Sequence, residues 1–345
     1  MGIFCSELVK VRSAVGIAML MFSVVGPAMP AMSATQAADF SIANGPKFSC
    51  DLPNMAHKFT ADFDPANHVL MVMAAGVAGL KKVERVAGRL KAWGARDFRM
   101  IGRTQERQRG YVVDLGEIIL VTLRGTSASG EFFSNLRFMQ RKLSHYGLPG
   151  KAHKGFVKEF ASIKNEIWQA LNEMNGIARK PIVVNGHSLG GAMGLLTAVL
   201  LVNDGWNVQS VYLSATPALG DDKLSYYIDE RLGGKIYKLV MKDDPINFVP
   251  ALAENSAYFA SLNGAGFEDV VAHGIDKANY APNPGHLTAF DEYDLSLGQD
   301  SSEVALDFWR SVTPDQSLLA LPIVYARKFK NHKIKYYVCR YGQLL

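Results

Sequence analysis

One turn does most to limit the folds open to this chain. It is Gly186-His187-Ser188-Leu189-Gly190-Gly191, set between the apolar run Ile182-Val183-Val184 and the longer apolar stretch from Ala192 to Leu201. The short β-branched run reads as a buried strand. The longer stretch reads as a helix buried on most sides. Between them, glycines flank a serine in the pattern Gly-x-Ser-x-Gly. That pattern holds a serine hydroxyl at the end of a strand, on a turn too tight for side chains at the flanking positions. The pattern is short enough for chance to produce, so its surroundings decide what it means.

Those surroundings alternate in type. The chain has 345 residues and is 48% hydrophobic, enough to bury a sizeable core. The spacing of Leu70, Val72, Met73, Val77, Leu80 and Val83 predicts a helix over 68–90. Tyr111-Val112-Val113 and the run from Ile118 to Leu123 read as two strands, with a turn at Leu115-Gly116. An amphipathic helix follows over 155–174. Short buried strands recur at Ile182-Val183-Val184, at 208–213 and at 236–240. Strands alternating with helices indicate an α/β protein with a mainly parallel sheet. Near the C-terminus, 304–312 reads as a helix and 335–341 as a terminal strand.

The formal charge of +5 is mild and spread along the chain. Lysines and arginines gather at Lys81-Lys82, from Arg103 to Arg109 and from Arg327 to Lys335, and these read as solvated faces. No nucleic-acid motif accompanies them. At the N-terminus, Lys10 and Arg12 precede a charge-free stretch with an apolar centre, Pro27 and Pro30, and small residues from Ala34 to Ala38. That order predicts a secretory signal peptide over 1–37, with one catalytic domain over 38–345. An uncleaved membrane anchor is the alternative, disfavoured by the short apolar centre and the early prolines. Of three cysteines, Cys5 leaves with the signal. Cys50 and Cys339 remain, and export predicts a disulfide between them, two unpaired thiols being the alternative.

A serine nucleophile needs a base for its proton, an acid to orient that base, and donors for the oxyanion. It needs neither a cofactor nor a metal. In α/β-hydrolases the parts run in the order Ser, Asp or Glu, His. The predicted strand over 236–240 is followed by Met241-Lys242-Asp243-Asp244-Pro245, so either aspartate qualifies as the acid. His273 and His286 are the best placed histidines for the base, with His332 a third candidate far out in the basic tail.

Six segments then match one family in order. Val121-Thr122-Leu123-Arg124-Gly125-Thr126 resembles its strand ending in Arg-Gly-Thr/Ser, and His153-Lys154-Gly155-Phe156 its His-x-Gly-Phe approach to a helix. The serine turn, the loop Ser214-Ala215-Thr216-Pro217-Ala218-Leu219-Gly220-Asp221, Asp244-Pro245 with Pro250, and Gly285-His286-Leu287-Thr288 complete the set. The chain resembles the class 3, fungal-type lipases over about 111–291. The resemblance implies an α/β-hydrolase fold: a mainly parallel central sheet, helices on both faces and a lid segment. It implies Ser188 as nucleophile, Asp244 as acid in preference to Asp243, and His286 as base. The oxyanion donors would be Thr126 and the Leu189 N–H. Arg124, His153 and His187 are expected to support turns. The sequence departs from the family at Asn135, Asn185 and Gly194, none of which supplies a catalytic group.

By the same resemblance, the lid lies between Thr126 and His153. Phe132, Phe133, Leu136 and Phe138 fall at spacings that fit one face of a short helix. Such a face can cover the site in water and open at a lipid surface, although a helix packed permanently on the core has the same pattern. Arg137, Arg141 and Lys142 nearby suit anionic headgroups. The expected activity is hydrolysis of glycerolipid acyl esters, with a lipid ester as substrate and transient contact with a lipid or micelle surface. The alternatives are phospholipase A1, a peptidase or acyltransferase using the same triad, and a non-catalytic lipid-binding module on the same scaffold.

Overall fold

The hairpin at Leu115-Gly116 forms as the alternation requires. In the computed structural model, Gly110–Asp114 (β2) and Ile119–Leu123 (β3) pair antiparallel, and Gly116 turns between them with φ 95°. The structure describes residue 59 and residues 64–104, 108–125, 139–244, 246, 280–290, 295–297, 332–341 and 344. All fall within one compact unit, Ala34–Leu345.

The hairpin is one side of an eight-stranded sheet of order β1-β2-β3-β6-β7-β8-β9-β10. The remaining strands are Asp97–Ile101 (β1), Ile182–His187 (β6), Val208–Ser214 (β7), Ile236–Met241 (β8), His286–Phe290 (β9) and Leu295–Leu297 (β10). From β3 to β9 the neighbours run parallel, while β1, β2 and β10 are antiparallel additions at the edges. Gln140–Lys142 (β4) and Lys151–His153 (β5) form a separate two-stranded ribbon. Every residue of β6 is buried, as expected of a central parallel strand covered on both faces.

The two faces of the sheet follow from side-chain alternation. Val121, Leu123, Ile182, Val184, Val211 and Leu213 join the largest apolar cluster. That cluster also takes in Lys154–Ala161 (α3), Lys164–Asn175 (α4), Leu189–Asn203 (α5) and Asp222–Leu232 (α6). The alternate positions meet Pro65–Ala78 (α1) on the other face. There the Tyr111 hydroxyl donates to the Ala74 carbonyl over 3.0 Å, and the Asn185 amide donates to the Met71 carbonyl over 2.7 Å. Asn185, a departure from the family pattern, thus ties α1 to the sheet. Gly194 has no such explanation, since an added Cβ would meet Val184 Cγ1 at an ordinary 3.5 Å.

Three sequence expectations are corrected. The helix expected over 68–90 is two helices, α1 and Val83–Ala92 (α2), divided at Gly79–Lys82, where Lys82 takes φ 69°. That over 155–174 is also two, with the break at Ser162 and Ile163. The segment 335–341 is helical rather than a strand: Ile334–Tyr336 continue into a wider turn over Tyr337–Tyr341. Its Tyr337 and Tyr341 pack on Phe290, with ring centroids 5.4 and 5.3 Å away. The Tyr341 hydroxyl donates to the Pro65 carbonyl over 3.0 Å, which docks the tail on α1. Cys339, in the same segment, is disulfide-bonded, and its partner falls outside the described residues. The helix expected over 304–312 also lies outside them.

Candidate active site

Ser188 stands between β6 and α5 in a conformation that few non-glycine residues adopt, φ 58° and ψ −129°. Close approach dictates the glycines around it. A Cβ on Gly186 would run into the Gly190 carbonyl, and one on Gly190 into the Leu123 carbonyl. The Ser188 N–H donates to the Ser214 carbonyl over 2.9 Å, pinning the turn to β7. The turn at Gly125 also closes on the serine: a Cβ there would lie 3.0 Å from that of Ser188.

The neighbour of the Ser188 hydroxyl is His332. Its Nε2 lies 2.8 Å from Ser188 Oγ, and its Nδ1 lies 2.9 Å from Asp244 Oδ2. The acid–base chemistry sets the proton positions. An ionised carboxylate only accepts, so Nδ1–H donates to Asp244 and Nε2 is free to accept the serine proton. Asp244 is fully buried, as it must be hydrogen-bonded to remain charged there. The Tyr337 hydroxyl donates to its Oδ2 over 2.7 Å, and the Ile246 N–H donates to its Oδ1 over 3.0 Å. Its neighbour Asp243 is half-buried. This ordered Ser–His–Asp array can pass a proton from the hydroxyl to the imidazole while the carboxylate stabilises the resulting charge.

His286 is not part of it. It opens β9 and pairs in register with Tyr237, near the start of β8, whereas Asp244 follows the end of β8. The strands run parallel, so His286 sits at the opposite end of the sheet from Ser188. The length of β9 alone puts about 13 Å between those ends. The His286 ring is exposed and stacks on Tyr237 at 5.8 Å. The Gly285-His286-Leu287-Thr288 segment that resembled the family's base is the start of a strand, with Gly285 turning at φ 106° against Ile236.

Leu189 opens α5 directly after Ser188, where the first N–H groups of a helix have no intrahelical acceptor. Thr126, the other predicted oxyanion donor, lies outside the described residues. So do Phe132, Phe133, Leu136 and Phe138 of the predicted lid, together with Cys50, His273 and Pro250. His153 caps α3, its Nδ1 accepting from the N–H groups of Gly155 and Phe156. Burial lowers its pKa to about 4 and keeps it neutral. Sequence reasoning missed Tyr337. The apolar Tyr336-Tyr337-Val338 beside His332 was the available signal, because a merely solvated basic tail has no need of it.

A lipase (class 3) family model matches residues 120–254. A secreted mono- and diacylglycerol lipase of Malassezia globosa is 26% identical over 201 residues, 55% of this chain and 66% of its own. A secreted mono- and diacylglycerol lipase of Fusarium solani is 27% identical over 39% of this chain and 40% of its own. A lipase of Rhizomucor miehei is 29% identical over 33% of each. The chain thus spans less than two thirds of the length of the curated relatives it matches. Among solved structures, a lipase from Rhizopus microsporus var. chinensis superposes with TM-score 0.50 at 18% identity, covering 74% of this chain and 91% of its own. The mono- and diacylglycerol lipase of Aspergillus oryzae gives TM-score 0.50 at 17% identity, with 73% and 96% covered. The eight-stranded, mainly parallel sheet with helices on both faces, the serine turn between β6 and α5, and these matches agree: the chain has an α/β-hydrolase fold, and its residues 120–254 are similar to the class 3 lipases.

Proposed function

We propose that the protein is an exported serine lipase or esterase that hydrolyses acyl esters of glycerolipids through an acyl-enzyme on Ser188. The observation that carries this reading is the bridging imidazole of His332, 2.8 Å from the nucleophile and 2.9 Å from a buried carboxylate. Ser188 Oγ attacks the ester carbonyl carbon as His332 Nε2 takes its proton. The Leu189 N–H, at the start of α5, is the oxyanion donor among the described residues, and the N–H and hydroxyl of Thr126 would be the further donors that the family resemblance implies. Collapse breaks the ester C–O bond, and His332 returns the proton to the departing alcohol oxygen. Water then attacks the acyl-enzyme with His332 as base, releasing the fatty acid and regenerating the Ser188 hydroxyl.

The relatives' names, secreted mono- and diacylglycerol lipases among them, support an acylglycerol substrate and export. Export is further supported by the signal-like residues 1–37 and accords with a Cys50–Cys339 disulfide. Among the described residues, no helix is long and apolar enough to cross a membrane. Phe132, Phe133, Leu136 and Phe138 would form the apolar face of a lid that meets the lipid surface. A phospholipase A1 activity is the second reading, favoured by the exposed Arg141 and Lys142 on β4. A panel of tri-, di- and monoacylglycerols and phospholipids separates the two. The class itself is tested with Ser188→Ala: hydrolysis of a p-nitrophenyl ester should be lost while the fold survives. Full activity in that variant would remove Ser188 as the nucleophile, whereas failure of a fluorophosphonate to label Ser188 in the native protein would favour a non-catalytic lipid-binding scaffold.

A further inference from the structure

We propose that His187 is a positioning residue for the base: one ring nitrogen holds the main chain of His332, and the ring face backs its imidazole. The proposal rests on the serine-hydrolase reading above and gives a task to a buried side chain that the mechanism does not use. His187 ends β6 and is 4% exposed. Its Nε2 lies 2.9 Å from the His332 carbonyl oxygen, and its Nδ1 lies 3.0 Å from Ser214 Oγ. A carbonyl oxygen only accepts, so Nε2 carries the hydrogen. In a neutral ring Nδ1 then only accepts, and the Ser214 hydroxyl donates to it. The partners alone fix the tautomer.

Ser214 therefore acts twice. Its carbonyl accepts from the Ser188 N–H over 2.9 Å, while its hydroxyl orients the histidine that grips His332. One residue of β7 links the position of the nucleophile to that of the base, 144 residues apart in the chain. The His187 and His332 rings stack with centroids 5.0 Å apart and planes at 29°. The Tyr337 ring meets His187 edge-on at 5.4 Å. Among the described residues, the titratable and charged groups facing His187 are His332, Tyr337 and the Asp244 carboxylate. Burial, together with the adjacent His332, lowers its pKa to about 3. The ring accordingly stays neutral when His332 takes the serine proton, and no second positive charge opposes the imidazolium. The two bonds of the His332 ring fix its orientation. The carbonyl contact fixes where the ring is hung, and a displacement near 1 Å at a proton-transfer group is enough to slow the reaction severely.

The test uses His187→Phe, which keeps a ring and loses the donor, and His187→Gln, whose amide N–H still reaches the His332 carbonyl. Each is compared with the native full-length protein on a soluble p-nitrophenyl ester, with kcat expressed per site labelled at completion by a fluorophosphonate. For His187→Phe, kcat should fall about tenfold or more with KM unchanged, and His187→Gln should recover most of the loss. Ser214→Ala, which frees the tautomer but retains the backbone clamp on Ser188, should lower kcat to an intermediate level and decides the matter if His187→Phe does not fold. Equal losses in His187→Phe and His187→Gln would overturn the proposal, as would native kcat per labelled site in His187→Phe or Ser214→Ala. A native protein that neither hydrolyses the ester nor takes the label would instead overturn the serine-hydrolase reading beneath it.

Discussion

The Tyr337 hydroxyl donates to Asp244 Oδ2 over 2.7 Å, on the same oxygen that accepts from His332. It also accepts from the Met241 N–H over 3.2 Å, at the end of β8. Tyr337 therefore joins the strand that leads to Asp244 to the segment that carries His332. Tyr337→Phe removes only the hydroxyl and leaves the ring against Phe290. It leaves a buried carboxylate one donor short, which costs about 1–3 kcal/mol. We predict a fall in kcat of about five- to a hundredfold with little change in KM, read from steady-state kinetics on a soluble ester. Unchanged kcat would show that the hydroxyl contributes packing only.

The glycines of the serine turn divide into required and replaceable. Gly190→Ala forces a Cβ into the Leu123 carbonyl in a fully buried turn, so the variant should fail to accumulate as folded protein. Gly194→Ala has room beside Val184 and lies inside α5, where alanine is favoured by about 0.5–1 kcal/mol. Its melting temperature should rise. A fall in Gly194→Ala, or a fully stable Gly190→Ala, would contradict the packing described around the turn.

Acid should destabilise the fold through its buried histidines. His68 and His187 are buried at 1% and 4% exposure, and burial lowers both to about 3 from an ordinary 6.5. In the unfolded chain each takes up a proton near pH 6.5, while in the folded chain each stays neutral. The unfolded state thus binds more protons between about pH 6.5 and pH 3, and stability falls as pH falls through that window. The slope approaches about 1.4 kcal/mol per pH unit for each histidine. Melting temperatures measured from pH 7.5 to pH 4 should decline steadily, and less steeply in His68→Gln. A flat profile would mean that these rings are protonated in the fold.

Much of this was legible in the sequence, for identifiable reasons. The serine turn and its flanking elements follow from Gly186 and Gly190, whose positions admit no side chain, and from the β-branched run before them. The place of Asp244 was legible because it follows the end of a recognisable strand. The imidazole that meets it was not. Gly285-His286 copies a local motif, yet register places it at the far end of β9, and a short motif carries no information about register. His332 reaches Ser188 because Tyr337 and Tyr341 pack the tail on Phe290 and α1, contacts that span the chain and leave no periodic trace. The divided helices were hidden for a similar reason, since apolar spacing continues across Gly79–Lys82 and only the positive φ at Lys82 marks the break.

The identity of the base is the most direct test, because of the three candidate histidines His332 is, among the described residues, the one within reach of Ser188. His332→Ala and His286→Ala should be compared with the native protein for kcat on a p-nitrophenyl ester, with folding verified by circular dichroism. His332→Ala should lose about a hundredfold to ten-thousandfold in kcat while His286→Ala stays close to native. Loss of activity in His286→Ala with His332→Ala still active would contradict His332 as the base.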